Sequence, residues 1–422
     1  MTAKAQARTP GGYLDRQRAA RLMAALGVEA IVLVQPESIL YATGAFAGVA
    51  TLWRRAGAAA VLVPADPASP LAATVGDLQA AGFRETSGIE DVRSHPIWVE
   101  TTAADPPDGS LVEDILAFDK ARQSGFERPA TFDPTLMLSS LRDILSERGL
   151  DTARLGLELG FVPVADMQAF ETALPQVRWA DASPLVARLR MVKQPAEIEA
   201  LRIAAQLTTS GLRHALASLH EGIDAQTIGA LWRGKVEEEA RRLQLGQSLS
   251  SWAYIAVGPD GFAPGGPARR GDVVKIDVGA VVGGYSADVA RTAVIGRTSP
   301  AQRQIHDALR GALDAALVAL RPGRPLGEAH EAATRAMHDA GFASFSRGHF
   351  GHSVGASVFS EEWPFISSGC DVLLEPDMVI AVEAPYYVRG VGGFIIEDQF
   401  LVTPQGLELM SPLPRDLLEI MD

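Results

Sequence analysis

The chain has one cysteine in 422 residues, Cys370, so it cannot close an internal disulfide, and nothing in its cysteine usage points to an oxidising compartment. Basic charge is also scarce, with 38 Lys and Arg against 51 Asp and Glu and a formal net charge of -13. Such a surface repels polyphosphate and anionic lipid, which argues against nucleic acid or a membrane as partner. Long apolar runs are missing too. The start, MTAKAQARTPGGYLDRQRAARLM, has no apolar stretch of signal-peptide length, and no later segment approaches the roughly 20 apolar residues that span a bilayer. The expectation is a soluble, cytoplasmic protein. Its 47% hydrophobic content over this length supplies two domain cores, because single cores stop growing past about 250 residues.

Two textures divide the chain. Up to about residue 182, short strand patterns (AIVLV at 30–34, AAAVLVP at 58–64, RLGLEL at 154–159) alternate with helical ones, which predicts an α/β domain over 1–182. Its clustered candidates, Trp53, Arg54 and Arg55 and the pair His95 and Trp98, read as surface or packing features. From 183 to 422 the order is helix, helix, β-hairpin, and then the same again. Helical periodicity over 197–219 and 224–243 precedes strands around Gly283-Gly284, and helices at about 300–320 and 327–340 precede strands at 378–383 and 393–402.

If Gly283 and Gly284 form a two-residue turn, Asp277 faces Ala290, Asp288 faces Gly279, and both Asp side chains share one face of the hairpin. At a diagonal spacing of roughly 7–8 Å two short carboxylates converge on the space between them. Alone, the pair also fits strand-end caps for backbone amides. Glu383, ending MVIAVE, and Glu397, inside FIIED, add two acids to apolar strands that have no reason to bury a charge. His352 lies in the glycine-rich RGHFGHSVG. Four carboxylates and one imidazole make an oxygen-dominated shell suited to two divalent ions, Mn²⁺ first, with Co²⁺ or Zn²⁺ as substitutes. Two such ions about 3.5–4 Å apart activate a shared water for hydrolysis.

The segment IDVGAVVGGYSADVART, with its two Asp eleven positions apart, resembles the signature of the pita-bread peptidases: prolidases, aminopeptidases P, methionine aminopeptidases and creatinases. GHSVG at 351–355, VEAP at 382–385 and IIEDQFLVT at 395–403 are similar to the family's later signatures, and ILYATG at 39–44 and LRMVKQPAEIEALRIAA at 189–205 to its amino-terminal domain and linker. The resemblance implies a creatinase-like α/β amino-terminal domain followed by an α+β pita-bread catalytic domain. It implies Asp277, Asp288, His352, Glu383 and Glu397 as ligands of two metal ions, with Asp288 and Glu397 bridging them. The implied activity is cleavage of Xaa-Pro bonds by a metal-bridging hydroxide, with Glu383 shuttling the proton. A Xaa-Pro dipeptidase acting as a homodimer on small peptides with proline in second position is the first expectation. An aminopeptidase P on longer peptides, a creatinase-type amidase and an inactive scaffold that binds a protein partner are the alternatives.

The chain departs from the family pattern at auxiliary positions. Gly265, Phe359 and Gly348 stand where the family usually has histidines, and Ile395 where it has an arginine. His349, one place from Gly348, is the expected substitute as proton donor or substrate anchor, and Arg389 as binder of a substrate carboxylate. His306, His330 and His338 are expected on helix surfaces, and Arg291 as a structural partner of nearby acids.

Overall fold

The computed structural model describes residues 11–48, 53–99, 112–113, 116, 128–131, 133–356 and 361–421. It divides into two compact units, one ending at Leu189 and the other running Arg190–Asp422.

The first unit runs α1 (Arg16–Leu26), β1 (Ala30–Leu33), α2 (Pro36–Thr43), β2 (Ala60–Pro64), β3 (Ala72–Gly76), α3 (Asp77–Ser87), β4 (Asp91–His95), α4 (Pro134–Glu147), β5 (Arg154–Leu157), α5 (Val164–Ala173), β6 (Arg178–Asp181) and α6 (Ser183–Arg190). Its sheet has the order β4-β3-β2-β1-β5-β6. β1 pairs antiparallel with β2 and parallel with β5, so the sheet is mixed. The inner strands β1 and β2 bury both faces, as their unbroken apolar runs require. Ile31 and Leu33 pack with Met23 of α1 and Leu185 of α6, while Ala30 and Val32 pack with Leu141 of α4 and Phe170 of α5. Arg54 pairs with Glu37 and Arg55 with Asp166, Trp53 lies against Trp98, and buried His95 reaches the Ala58 carbonyl. These residues serve the unit's own packing, as expected.

The second unit runs α7 (Pro195–Ala217), α8 (Ala225–Arg242), β7 (Leu249–Val257), β8 (Val273–Val282), β9 (Tyr285–Ser286), β10 (Val289–Ile295), α9 (Pro300–Ala319), α10 (Leu326–Asp339), β11 (His349–Ser353), β12 (Glu362–Ser367), β13 (Val379–Val388), β14 (Gly392–Thr403), β15 (Gly406–Leu409) and β16 (Leu418–Ile420). Three helix starts are written in the sequence: Gln194-Pro195 with Glu197 closes a capping box on α7, Asp224 caps α8, and Ser299-Pro300 with Gln302 caps α9. The main path of the sheet is β12-β11-β13-β14-β10-β8-β7.

Parity along the central strands decides what each face does. Ile380, Val382 and Ala384 of β13 and Phe394 and Ile396 of β14 pack with Leu309 and Leu313 of α9 and Met337 of α10. Glu383, Ile395, Glu397 and Gln399 therefore point to the other face, where Gln399 reaches the Leu201 carbonyl of α7 and Thr208 of α7 accepts the Ala280 amide. Among the described residues no helix is long and apolar enough to cross a membrane.

Two surface assignments fail. His306 and His330 are buried, at 4% and 8% exposure, because α9 and α10 turn these positions inward. His330 holds the Arg347 carbonyl at 3.0 Å, and His338 holds that of Phe345 at 3.0 Å, so both tie α10 to the segment entering β11. Arg291 is what the sequence suggests, donating to Asp398 at 2.7 Å.

Candidate metal centre

The hairpin turns at Gly283 and Gly284, both at positive φ (59° and 90°), which an ordinary L residue adopts only at a cost. That turn sets the register: Val282 opposes Tyr285 and Asp277 opposes Ala290. Continuing it, Ala287 bonds back to Ala280, which leaves Asp288 opposite Gly279 and on the same face as Asp277. Ala290 also opposes Glu397 on β14, and Glu397 opposes Glu383 on β13. Asp277, Ala290, Glu397 and Glu383 thus form one row across four strands, with only a methyl group at its second place. His352 of β11 opposes Ala381, two residues before Glu383 and on the same face.

The side chains converge. His352 Nε2 lies 3.6 Å from Asp288 Oδ2 and 3.8 Å from Glu397 Oε1, and one donor atom from each of the three residues fits within 4.8 Å of the others. The other imidazole nitrogen, Nδ1, donates to the Ser353 carbonyl at 2.9 Å, which aims Nε2 at the carboxylates.

Like charges directly opposed in a sheet destabilise it, and burial makes this worse. Burial, then Asp277 and Glu383, pushes the Asp288 carboxyl well above the usual range. Burial and Asp288 do the same to Glu397. Asp277 rises by burial, only partly offset by Lys275, whose Nζ is 3.1 Å from Asp277 Oδ2. One buried oxygen, Asp288 Oδ1, has no hydrogen-bond partner at all. An acceptor-rich cluster with an imidazole nitrogen and an orphaned carboxylate oxygen has the composition of a divalent-ion site, and these residues fit one.

Residues 199–404 match metallopeptidase family M24, and residues 16–192 match the creatinase/prolidase N-terminal domain. The chain carries a metallopeptidase family M24 domain. It is 26% identical to the Xaa-Pro dipeptidase of Pyrococcus furiosus over 268 residues, covering 64% of this chain and 76% of that one. Against the Xaa-Pro dipeptidase of Lactobacillus helveticus it is 28% identical over 284 residues, covering 66% and 75%. The prolidase structure from Pyrococcus horikoshii OT3 superposes with a TM-score of 0.73 at 20% identity, covering 96% of this chain and 99% of that one, which is a likeness of fold. The fold expectation, an α/β creatinase-type domain followed by a pita-bread domain, holds.

In this M24 domain the auxiliary positions are filled in their own way. At Gly265, φ is 68° and an added Cβ would lie 2.0 Å from the Val257 carbonyl oxygen, so the backbone there excludes any side chain, histidine included. Ile395 shares the face of Glu397 and is buried, making an apolar wall where an arginine was sought. Phe359 lies outside the described residues. His349 opens β11 with Nδ1 3.3 Å from Glu383 Oε1, without forming a hydrogen bond. Burial lowers its pKa, opposed by Glu383 and aided by Arg347, which favours the neutral ring. Arg389 stands in the β13–β14 turn with its side chain 93% exposed and its nearest carboxylate, Asp260, 4.0 Å away; the structure does not bring it into the cluster.

Two cations were missed in the sequence. Arg347 Nη2 is 2.6 Å from Glu383 Oε1, and its Nε donates to the His349 carbonyl. Lys275 is buried beside Asp277, and although burial opposes its charge, Asp277 and Tyr387 hold its pKa above the ordinary value. Strand parity was the available signal: positions 275 and 277 alternate onto one face, so a lysine in VVKIDVG has to share the site with Asp277.

Proposed function

We propose that the chain hydrolyses Xaa-Pro bonds in short peptides, as a Xaa-Pro dipeptidase, with Asp277, Asp288, His352, Glu383 and Glu397 holding two divalent ions, manganese foremost. The observation that carries the reading is the uncompensated cluster of Asp288, His352 and Glu397, flanked in the same row by Asp277 and Glu383. The substrate class follows from relatives named Xaa-Pro dipeptidase along about two thirds of the chain.

Bound divalent ions would polarise the scissile carbonyl and make the attacking water more acidic. Glu383 takes the proton of that water and passes it to the departing proline nitrogen. Arg347 grips Glu383 Oε1 and so fixes where the carboxylate points. His349, neutral and adjacent, is placed to donate a hydrogen bond to the oxygen that gains charge. Ile395, buried on the face of Glu397, adds an apolar neighbour that lowers the local dielectric and strengthens these interactions.

The test is hydrolysis of a panel of Xaa-Pro dipeptides and longer Xaa-Pro peptides by purified protein. Exhaustive chelation is expected to abolish turnover and Mn²⁺ or Co²⁺ to restore it, with dipeptides preferred. Full activity after chelation rejects the metal reading, and preference for longer peptides turns the assignment to an aminopeptidase P.

A further inference from the structure

The proposed reaction leaves one substrate group unmatched, the carboxylate that ends a Xaa-Pro dipeptide. Neither place where the sequence suggested a cation for it supplies one. Arg389 stands 93% exposed in the β13–β14 turn, and position 395 is a buried isoleucine. Lys275 is on the face of the acidic row but only 3% exposed, with its ammonium held by Asp277 at 3.1 Å. Arg190 is engaged by Glu362 and the Ala356 carbonyl.

Arg347 is the cation that remains beside the row among the described residues. Its side chain is 20% exposed, so water and solutes reach it. Nη2 meets Glu383 Oε1 at 2.6 Å, and Nε donates to the His349 carbonyl. Nη1 donates to nothing among the described residues, and Nη2 keeps a second hydrogen. Those two nitrogens are the end of the guanidinium fork, which grips a carboxylate through two parallel bonds. The charge is also near enough to Glu397 and Tyr387 to oppose the burial that raises their pKa values.

Distance along the substrate decides what this fork meets. In the proposed reaction Glu383 hands a proton to the departing proline nitrogen, so a guanidinium bonded to Glu383 stands one group away from that nitrogen. In a dipeptide the carboxylate carbon is two bonds from the same nitrogen, about 2.5 Å. In a longer peptide that place holds a peptide carbonyl, uncharged and with one oxygen where the carboxylate has two.

We infer that Arg347 receives the terminal carboxylate of the substrate through Nη1 and the spare hydrogen of Nη2, and thereby selects dipeptides over longer peptides. The inference rests on the proposed reading of the site as a Xaa-Pro hydrolase. It assigns to a residue of the segment before β11 the recognition that neither Arg389 nor position 395 can provide.

The experiment compares kcat/KM for alanyl-proline and for its C-terminal amide on full-length protein reconstituted with Mn²⁺. The wild type is expected to favour the free acid by roughly 10–10²-fold, the worth of a charge-assisted pair. Arg347→Met keeps the stem and removes the fork; it also loosens Glu383, so both rates fall. The ratio of the two cancels that shared loss and is expected to drop to within about threefold. Arg347→Lys, which restores charge without the fork, should recover part of the ratio, and Arg347→Gln replaces the methionine variant if circular dichroism shows that it is not native. Calorimetric titration with L-proline and L-prolinamide makes the same comparison without turnover: the wild type should bind proline more tightly, the variant both alike. Equal rates on acid and amide in the wild type, or an undiminished ratio in a native variant, would overturn the inference and leave Xaa-Pro hydrolysis standing. No turnover of either substrate by the wild type would overturn the proposed function, and the inference with it.

Discussion

Each unit buries an acid among apolar strands, and the two are treated in opposite ways. In the first unit Glu158 is 2% exposed, and its carboxylate accepts from the Val34 and Gln35 amides and the Ser38 hydroxyl. In the second unit Asp288 and Glu397 are as deeply buried, yet Asp288 Oδ1 has no partner and the nearest side-chain neighbours include each other's charge. The same contrast recurs between neighbours on β14, because Asp398 points away from Glu397 and is held by Arg291, Ser411 and Arg415. A buried acid whose oxygens are all met is part of the fold, whereas one left in conflict marks the place where something else binds.

The largest expected effect breaks the conflicted side. Asp288→Asn should lower turnover on the order of 10³-fold, about 4 kcal/mol of lost barrier reduction, while the metal-free variant melts higher than metal-free wild type. The pH dependence sharpens the point. Asp288 and Glu397 have folded pKa values above their unfolded ones, so the stability they contribute is present below the ordinary carboxylate pKa of about 4 and is lost as pH rises through the folded values. The melting temperature of metal-free wild type should therefore fall as pH rises from mildly acidic to neutral, and Asp288→Asn should flatten that slope. A variant that keeps full activity, or a slope of opposite sign, would remove Asp288 from the centre.

Next in size is the pair of histidines on β11. His349→Ala should reduce turnover by roughly 10–10³-fold with metal content unchanged, the range for one lost donor or acid. His352→Ala should instead lose metal, as elemental analysis will register. Unaltered kinetics in the His349 variant would assign it to packing against Phe365, 5.2 Å away between ring centres.

The smallest change in activity is expected where the buried acid is satisfied. Glu158→Ala strands donors from Val34, Gln35 and Ser38, and one unsatisfied buried donor costs about 1–3 kcal/mol, so the denaturation midpoint should drop markedly. Metal binding by that variant should match the wild type wherever the protein remains folded. A stability loss below about 1 kcal/mol would mean that water replaces the carboxylate and that the contrast between the units is weaker than drawn.

Local chemistry explains what could be read before the structure was seen. The hairpin register followed from two glycines and strand alternation, and with it the shared face of Asp277 and Asp288. The repeated order of helices and strands was equally local. Contacts between segments distant in sequence were not readable in this way. His306 and His330 looked like surface residues because helical periodicity does not say what will cover a polar position. Arg347 reaches Glu383 only when the segment before β11 lies along β13, and no spacing in the chain encodes that approach. Gly265 could be seen as a missing histidine, but the carbonyl that forbids one there comes from Val257 on β7.

The row of Asp277, Ala290, Glu397 and Glu383 also bears on how the protein comes to be folded. Its members lie on β8, β10, β14 and β13, so the cavity does not exist until the last long strand has paired with both of its neighbours. Such distant pairings form late and slowly, since long loops must close before they gain any contact. An ion that binds only the finished cavity cannot hasten that search, but it lowers the free energy of the native state alone and slows the chain's return. Loading of the proposed site would therefore be a ratchet on sheet closure, and metal occupancy would double as a report that every strand has found its register.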